Sequence, residues 1–288
     1  MTSVKAMFKR AARKCLKMSP WVLVWITVIT TATSLLPQRL DRVRFDYDIG
    51  HADSAAYAWQ ARNLAQGKGW KVPYVTNFLY GYDPRIERHD DQWPPLLSFV
   101  LTPVFAHLGP EANWANLTMI WIGTLFLPFS FCLLVQAVTH RAWPGLLAVL
   151  PLWFSMELFA LSTKILSDHL VTAVLCLFLA ALIGSQKIKP LLWFCGPLIA
   201  LAWYGKGSQI ILFPFFLVAV FLIHGPRMCL RKECLGTLLL GVLLMSPRLW
   251  ENSRDHGDPF HSSQSVVSSY FGMSREGWDP GFYSIYLG

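Results

Sequence analysis

The sequence predicts an all-α polytopic membrane protein, a bundle of about seven transmembrane helices with further juxtamembrane helices on its outer face. Three observations predict it. Hydrophobic residues make up 54% of the 288 positions and charged residues only 15%, against roughly 25% charged in a typical soluble domain. The mean hydropathy is +0.39, so the chain lacks the polar groups to cover its own surface in water. Apolar runs near bilayer-crossing length recur along it, with basic residues gathered on one side of them. Such a composition excludes a disordered chain, a collagen-like repeat and a disulfide scaffold.

Residues 1–20 form a basic cytoplasmic N-terminus, with Lys5, Lys9, Arg10, Arg13, Lys14 and Lys17 placed to meet anionic lipid headgroups. The net charge of +8 does not point to nucleic acid, because no basic, aromatic-studded soluble domain is left to bind it. The first span is expected at 21–36. A signal peptide has the same basic start and apolar run, but this run is longer than a usual signal core. Pro37-Gln38-Arg39 also offers no small-residue cleavage site, so an uncleaved helix is expected. Further spans are expected at 113–139, 143–161, 165–184, 190–204, 208–224 and 234–245, the last short and glycine-punctuated. The apolar stretch 95–108 is short for a span and suits an interfacial or re-entrant helix. The membrane core is thus residues 21–245, including an external loop 37–94 and the helix 95–108, followed by an external segment 246–288.

Charge sets the orientation. With the N-terminus inside, Arg141, Lys187, Lys189, Arg227, Arg231 and Lys232 join the N-terminal cluster on the cytoplasmic side, twelve basic residues against only Lys164 and Lys206 in the short loops opposite. The six cysteines fall in spans or cytoplasmic segments, away from the side where an oxidising compartment favours pairing. No CxxC or Cys/His metal spacing occurs, and no internal repeat is visible.

Three places on the outer side carry groups that could do chemistry. In Asp53-Ser54-Ala55-Ala56-Tyr57 the helical pattern begins at Ala55, with Tyr57, Ala61 and Leu64 on one face and Gly67 suited to the stop. Asp53 is therefore either the N-cap of that helix or a catalytic base at the membrane surface. Downstream, His89, Asp90 and Asp91 precede Pro94 and Pro95, a pair that stops one segment and starts the next helix. Those three side chains suit either a divalent metal or a solvated charge cluster. Lys206, between Gly205 and Gly207, and Lys164, close before Asp168-His169, break the orientation rule. A lysine flanked by glycines beside a helix start can receive a phosphate with little obstruction, or can simply snorkel to headgroups. The last segment, from Pro247, reads as a turn-rich surface loop with three carboxylates, two arginines and a histidine among residues 246–260.

Taken in order, these segments resemble the GT-C-type membrane glycosyltransferases that use polyprenyl- or dolichyl-phosphate sugars, in particular the protein O-mannosyltransferase and lipid A aminoarabinose transferase branch. The resemblance rests on Asp53 ahead of a helix bearing Tyr57 and ending at Gly67, and on Pro94-Pro95-Leu96 opening an apolar helix that closes at Leu108-Gly109. It continues through Lys206-Gly207 to Pro247, Asn252 and Gly257-Asp258-Pro259-Phe260. Two positions depart from the pattern: Ser54 stands where an acidic residue often follows the key Asp, and Glu251 where an Arg commonly precedes the Asn. Members are usually much longer, which raises the reading of a fragment or a reduced version.

The resemblance implies a GT-C-like bundle moving a sugar from a polyprenyl-phosphate carrier to a hydroxyl or amine of a lipid, glycan or protein acceptor. The reaction would take place on the non-cytoplasmic face of the plasma membrane, the inner membrane in a bacterium. Asp53 would be the general base, and Lys206, with Lys164 or Arg248, would hold the donor phosphate. A single displacement inverts the anomeric centre. No cofactor is required beyond, at most, a divalent metal. Two other readings stand beside it: a lipid or solute transporter, which would place ionisable groups mid-span, where Glu157 is the main example, and a non-catalytic assembly partner, prompted by Ser54 and Glu251.

Overall fold

A computed structural model describes residues 19–43, 52–72, 88–89, 93–109 and 112–260. Helices dominate these residues. The exception is a two-residue antiparallel ladder, β1 (Lys71–Val72) with β2 (Arg88–His89), which sets Lys71 opposite His89.

The first helix, α1 (Pro20–Val43), opens on a proline, whose missing N–H costs nothing in a first turn. Next comes α2 (Ala52–Ala65). It stops where the sequence predicts: Gly67 takes φ 71°, its N–H donates to the Leu64 carbonyl at 3.0 Å, and that of Lys68 to Asn63 at 2.9 Å. Only glycine enters this left-handed region without strain. The Pro94-Pro95 turn then starts α3 (Leu96–Leu108), as expected for 95–108. Leu97 and Leu101 of α3 are wholly buried against Tyr57 and Ala61 of α2.

Helix α4 (Ala112–Trp121) passes through a π-helical stretch, Ile122–Phe126, into α5 (Leu127–Thr139). The next expected span, 143–161, is broken. Helices α6 (Trp143–Phe154) and α7 (Met156–Ser162) meet at a 72° bend. Pro151 can donate no hydrogen bond to α6, and Ser155, in extended conformation, caps a new helix by accepting the Leu158 N–H at 3.2 Å. Glu157 consequently sits exposed in the first turn of α7 and not within a continuous span.

Helix α8 (Asp168–Gly184) leads through a short 3-10 turn to α9 (Leu192–Gly205), then through a second one, Gly207–Ile211, to α10 (Leu212–His224). A single turn, α11 (Pro226–Cys229), precedes α12 (Lys232–His256). The sequence places the end of the last span near Met245, but α12 continues through Pro247. The Leu243 carbonyl, left without its helical donor by that proline, accepts the Ser246 hydroxyl at 2.7 Å. Residues 246–256 are therefore helix, and the turn begins only at Gly257.

Among the described residues four helices are long and apolar enough to cross a membrane, Pro20–Asp41, Asn113–Thr139, Gly207–His224 and Lys232–Arg254, or five if the bent α6–α7 pair counts as one. The expectation of about seven exceeds this number because turns claim residues that composition assigns to spans. Residues 165–167 are one such stretch, leaving α8 only 17 residues, and α9 is shorter still at 14.

Helices α9 and α12 run in close contact. A Cβ at Gly196 would collide with the Thr237 carbonyl, and the Thr237 hydroxyl donates across to the Leu192 carbonyl at 2.6 Å. Separate apolar clusters join α2, α3 and α4 on one side and α1, α5 and α6 on another.

Candidate functional site

The bundle brings its charged groups together where α8 begins and α9 ends. Gly205 permits this meeting: a Cβ there would strike Val171 of α8 and crowd Leu96 of α3. The next residue, Lys206, leaves the helix in extended conformation. Its Nζ lies 2.6 Å from Asp168 Oδ1, and both side chains are about half exposed. Asp168 occupies the first turn of α8, where free backbone N–H groups and the helix dipole favour a carboxylate. Beyond the lysine, Gly207 faces open space. The cation predicted for a phosphate is thus accessible, and its charge is already matched by a carboxylate of the same chain.

Helix α2 docks beside this pair. The Tyr57 hydroxyl lies 3.2 Å from Ser167 Oγ, immediately before Asp168 in the chain, and both groups are buried. The Tyr57 ring rests 5.8 Å from Trp93, beside Pro94 and Pro95. Ser98 of α3 donates to the Tyr57 carbonyl and, at 2.7 Å, to Gln60 Oε1. These contacts fix α2 against α3 and against the start of α8.

Asp53 is the second residue of α2. It therefore stands inside the first turn and not at the cap position ahead of a helix starting at Ala55. Four residues separate it from Tyr57, about 6 Å along the axis on the same side of the helix. The placement of its side chain lies outside the described residues. Ser54 next to it is 2% exposed, and its hydroxyl finds no partner among the described residues.

The other predicted residues separate into groups. Lys164 is exposed in the turn ahead of α8. Arg248 pairs with Glu251 of its own helix at 2.8 Å, so the glutamate that departs from the family pattern compensates this arginine. Asn252 is buried and donates from Nδ2 to the Pro259 carbonyl at 3.1 Å, while Gly257 takes φ 73° to close α12. Asn252, Gly257 and Pro259 thus build a helix-terminating turn. His89 lies in the small ladder, but its side chain, like all of Asp90 and Asp91, falls outside the described residues. Among the described residues no three His, Cys, Asp or Glu side chains gather as metal ligands.

One residue was passed over in the sequence. Arg39 is 7% exposed, and it donates from Nη1 to Thr124 Oγ1 at 2.9 Å and from Nη2 to the Trp153 carbonyl at 2.7 Å. Its guanidinium also lies over the Phe159 ring, 5.3 Å from the centroid. The signal that would have found it is the one that found Lys206: a basic residue at the wrong end of a span for the charge rule. The chain matches no family model, no curated protein and no solved structure.

Proposed function

We propose that this chain is a membrane glycosyltransferase of GT-C type, taking a sugar from a polyprenyl-phosphate carrier to an acceptor hydroxyl or amine on the non-cytoplasmic face. The observation that carries the reading is the meeting of three sequence-distant motifs. The helix bearing Asp53 is joined through Tyr57 to Ser167, beside the Asp168–Lys206 pair, while Trp93, the residue ahead of Pro94-Pro95, packs on the same tyrosine. A catalyst that works on a lipid-anchored donor needs such a polar cluster at one end of an apolar bundle.

In this reading Asp53 takes the proton of the acceptor hydroxyl as its oxygen attacks the anomeric carbon. The bond from that carbon to the phosphate oxygen breaks, and the electron pair leaves with the phosphate. A phosphate is stable as an anion, so a cation suffices to favour its departure. Lys206 supplies that cation by exchanging Asp168 for the phosphate. The remaining spans of a seven-helix GT-C bundle would be the short apolar helices α8 and α9, with α3 as the interfacial helix.

A second reading is favoured by one observation. Lys206 and Arg248 are each ion-paired within the chain, as expected of a non-catalytic assembly partner. Purified full-length protein in proteoliposomes, supplied with polyprenyl-phosphate mannose or polyprenyl-phosphate aminoarabinose together with a hydroxyl-bearing peptide and a lipid A acceptor, separates the two. Release of polyprenyl phosphate that stops in Asp53→Asn supports the enzyme. No release with either donor, from protein that is folded, supports the partner.

A further inference from the structure

Burying a cation in a membrane protein is costly, and neutral partners repay little of that cost. Arg39 bears this cost with no carboxylate partner among the described residues. A guanidinium has five N–H donors, and here two are engaged, both by neutral oxygens. A residue that merely tied α1 to α5 and α6 would need neither the charge nor the spare donors.

Those donors border an open cavity of about 180 Å³, lined by Gln38, Arg39 and Ser155 as its polar groups and by Phe154, Met156 and Phe159 among its apolar ones. Phe154 is 71% exposed and Met156 63%, so the exposed rim is largely apolar, Gln38 being its polar member, while Arg39 is buried. The 72° bend between α6 and α7 falls at Ser155, itself one of the lining residues. A buried charge beside a largely apolar rim fits an amphiphile with one anionic head. The cavity has room for a phosphate and the first carbons of a chain.

We infer that the Arg39 cavity seats the phosphate of a single-chain lipid phosphate, the guanidinium fork receiving its oxygens while the chain lies over Phe154, Met156 and Phe159. The inference rests on the proposed function only in naming that lipid as the carrier spent or consumed in the transfer. The seat lies apart from Lys206, whose charge Asp168 already meets.

The test uses the full chain in phosphatidylcholine nanodiscs, with farnesyl phosphate as the probe. Wild type should bind farnesyl phosphate at least about tenfold more tightly than farnesol or inorganic phosphate, since both head and chain are read. Gln38→Glu sets a carboxylate beside the guanidinium from an exposed position. It should weaken binding about tenfold or more, an opposing charge competing for the same cation, while melting temperature is unchanged. Arg39→Lys should retain part of the affinity. Unchanged binding in folded Gln38→Glu, equal binding of farnesol, or displacement of farnesyl phosphate by an equal amount of phosphatidylglycerol would each overturn the assignment. Failure here is distinguishable from failure of the enzyme reading. Binding through Arg39 without any sugar transfer sinks the enzyme and keeps the seat, whereas transfer with binding indifferent to Gln38→Glu does the reverse.

Discussion

Lys206 and Arg39 are two cations in one bundle that solve the same electrostatic problem differently. Lys206 is half exposed, flanked by glycines and held 2.6 Å from Asp168. Arg39 is buried, held by a hydroxyl and a carbonyl, and open to a cavity. The lysine has a charge partner and solvent; the arginine is buried and has no carboxylate partner among the described residues. Exposure and glycine neighbours, the features that single out Lys206 in the sequence, report ease of approach. Uncompensated charge reports demand for a ligand, and only the fold reveals it.

The largest effect expected separates the chemistry from both cations. Asp53→Asn should lower sugar transfer about a hundredfold or more, because an amide cannot take a proton. Melting temperature should stay near wild type, and farnesyl phosphate binding should be intact. Transfer at near wild-type rate would end the role of Asp53 and pass suspicion to Asp90 and Asp91.

Stability should next divide the two cations. Arg39→Ala forfeits two charge-assisted hydrogen bonds, partly offset by removal of a buried charge, a net loss of about 2–3 kcal/mol. Chemical unfolding in detergent should register it, while Lys206→Ala stays within about 1 kcal/mol of wild type because exposed pairs are screened. Equal losses would erase the distinction drawn between the sites.

Donor handling should then sharpen the role of Lys206. Lys206→Ala should reduce transfer about tenfold, with Lys206→Arg recovering part of it. Normal turnover in the alanine variant would leave Lys206 a headgroup-facing residue and nothing more. The smallest change is expected for Asp168→Asn. Freed of its partner, Lys206 should bind donor phosphate a few fold more tightly, and the gain should fade in high salt. A loss of donor affinity would mean that Asp168 orients the lysine instead of occupying it.

Local signals were legible in the sequence where one residue sets the backbone. Gly67 closes α2, Pro94-Pro95 opens α3, and Gly257 ends α12, each for a conformational reason visible in the residue itself. Composition also revealed the apolar helical character. It could not reveal the span count, since a turn such as residues 165–167 is apolar enough to pass for helix. The break at Ser155 and the survival of α12 through Pro247 depend on single hydroxyls choosing one backbone partner over another. The site was half legible. Asp53, Tyr57 and Lys206 stood out by motif, but the carboxylate that neutralises Lys206 lies 38 residues away in sequence, and the groups that hold Arg39 lie 85 and 114 away.

The π-helical stretch Ile122–Phe126 gives the Arg39 seat an unusual vulnerability to changes in chain length. A π-turn carries one residue more than an α-turn, so removing one residue from it restores ordinary helical hydrogen bonding. That deletion would also rotate everything ahead of it by about 100° relative to α5. Thr124, whose side chain receives Arg39 and whose carbonyl accepts the Trp153 indole N–H at 2.9 Å, would face elsewhere. Gly123 would lose its fit beside Ser162. A shortened chain could therefore be the better helix and the poorer receptor, and indels in this stretch should be tolerated less than substitutions at most of its positions.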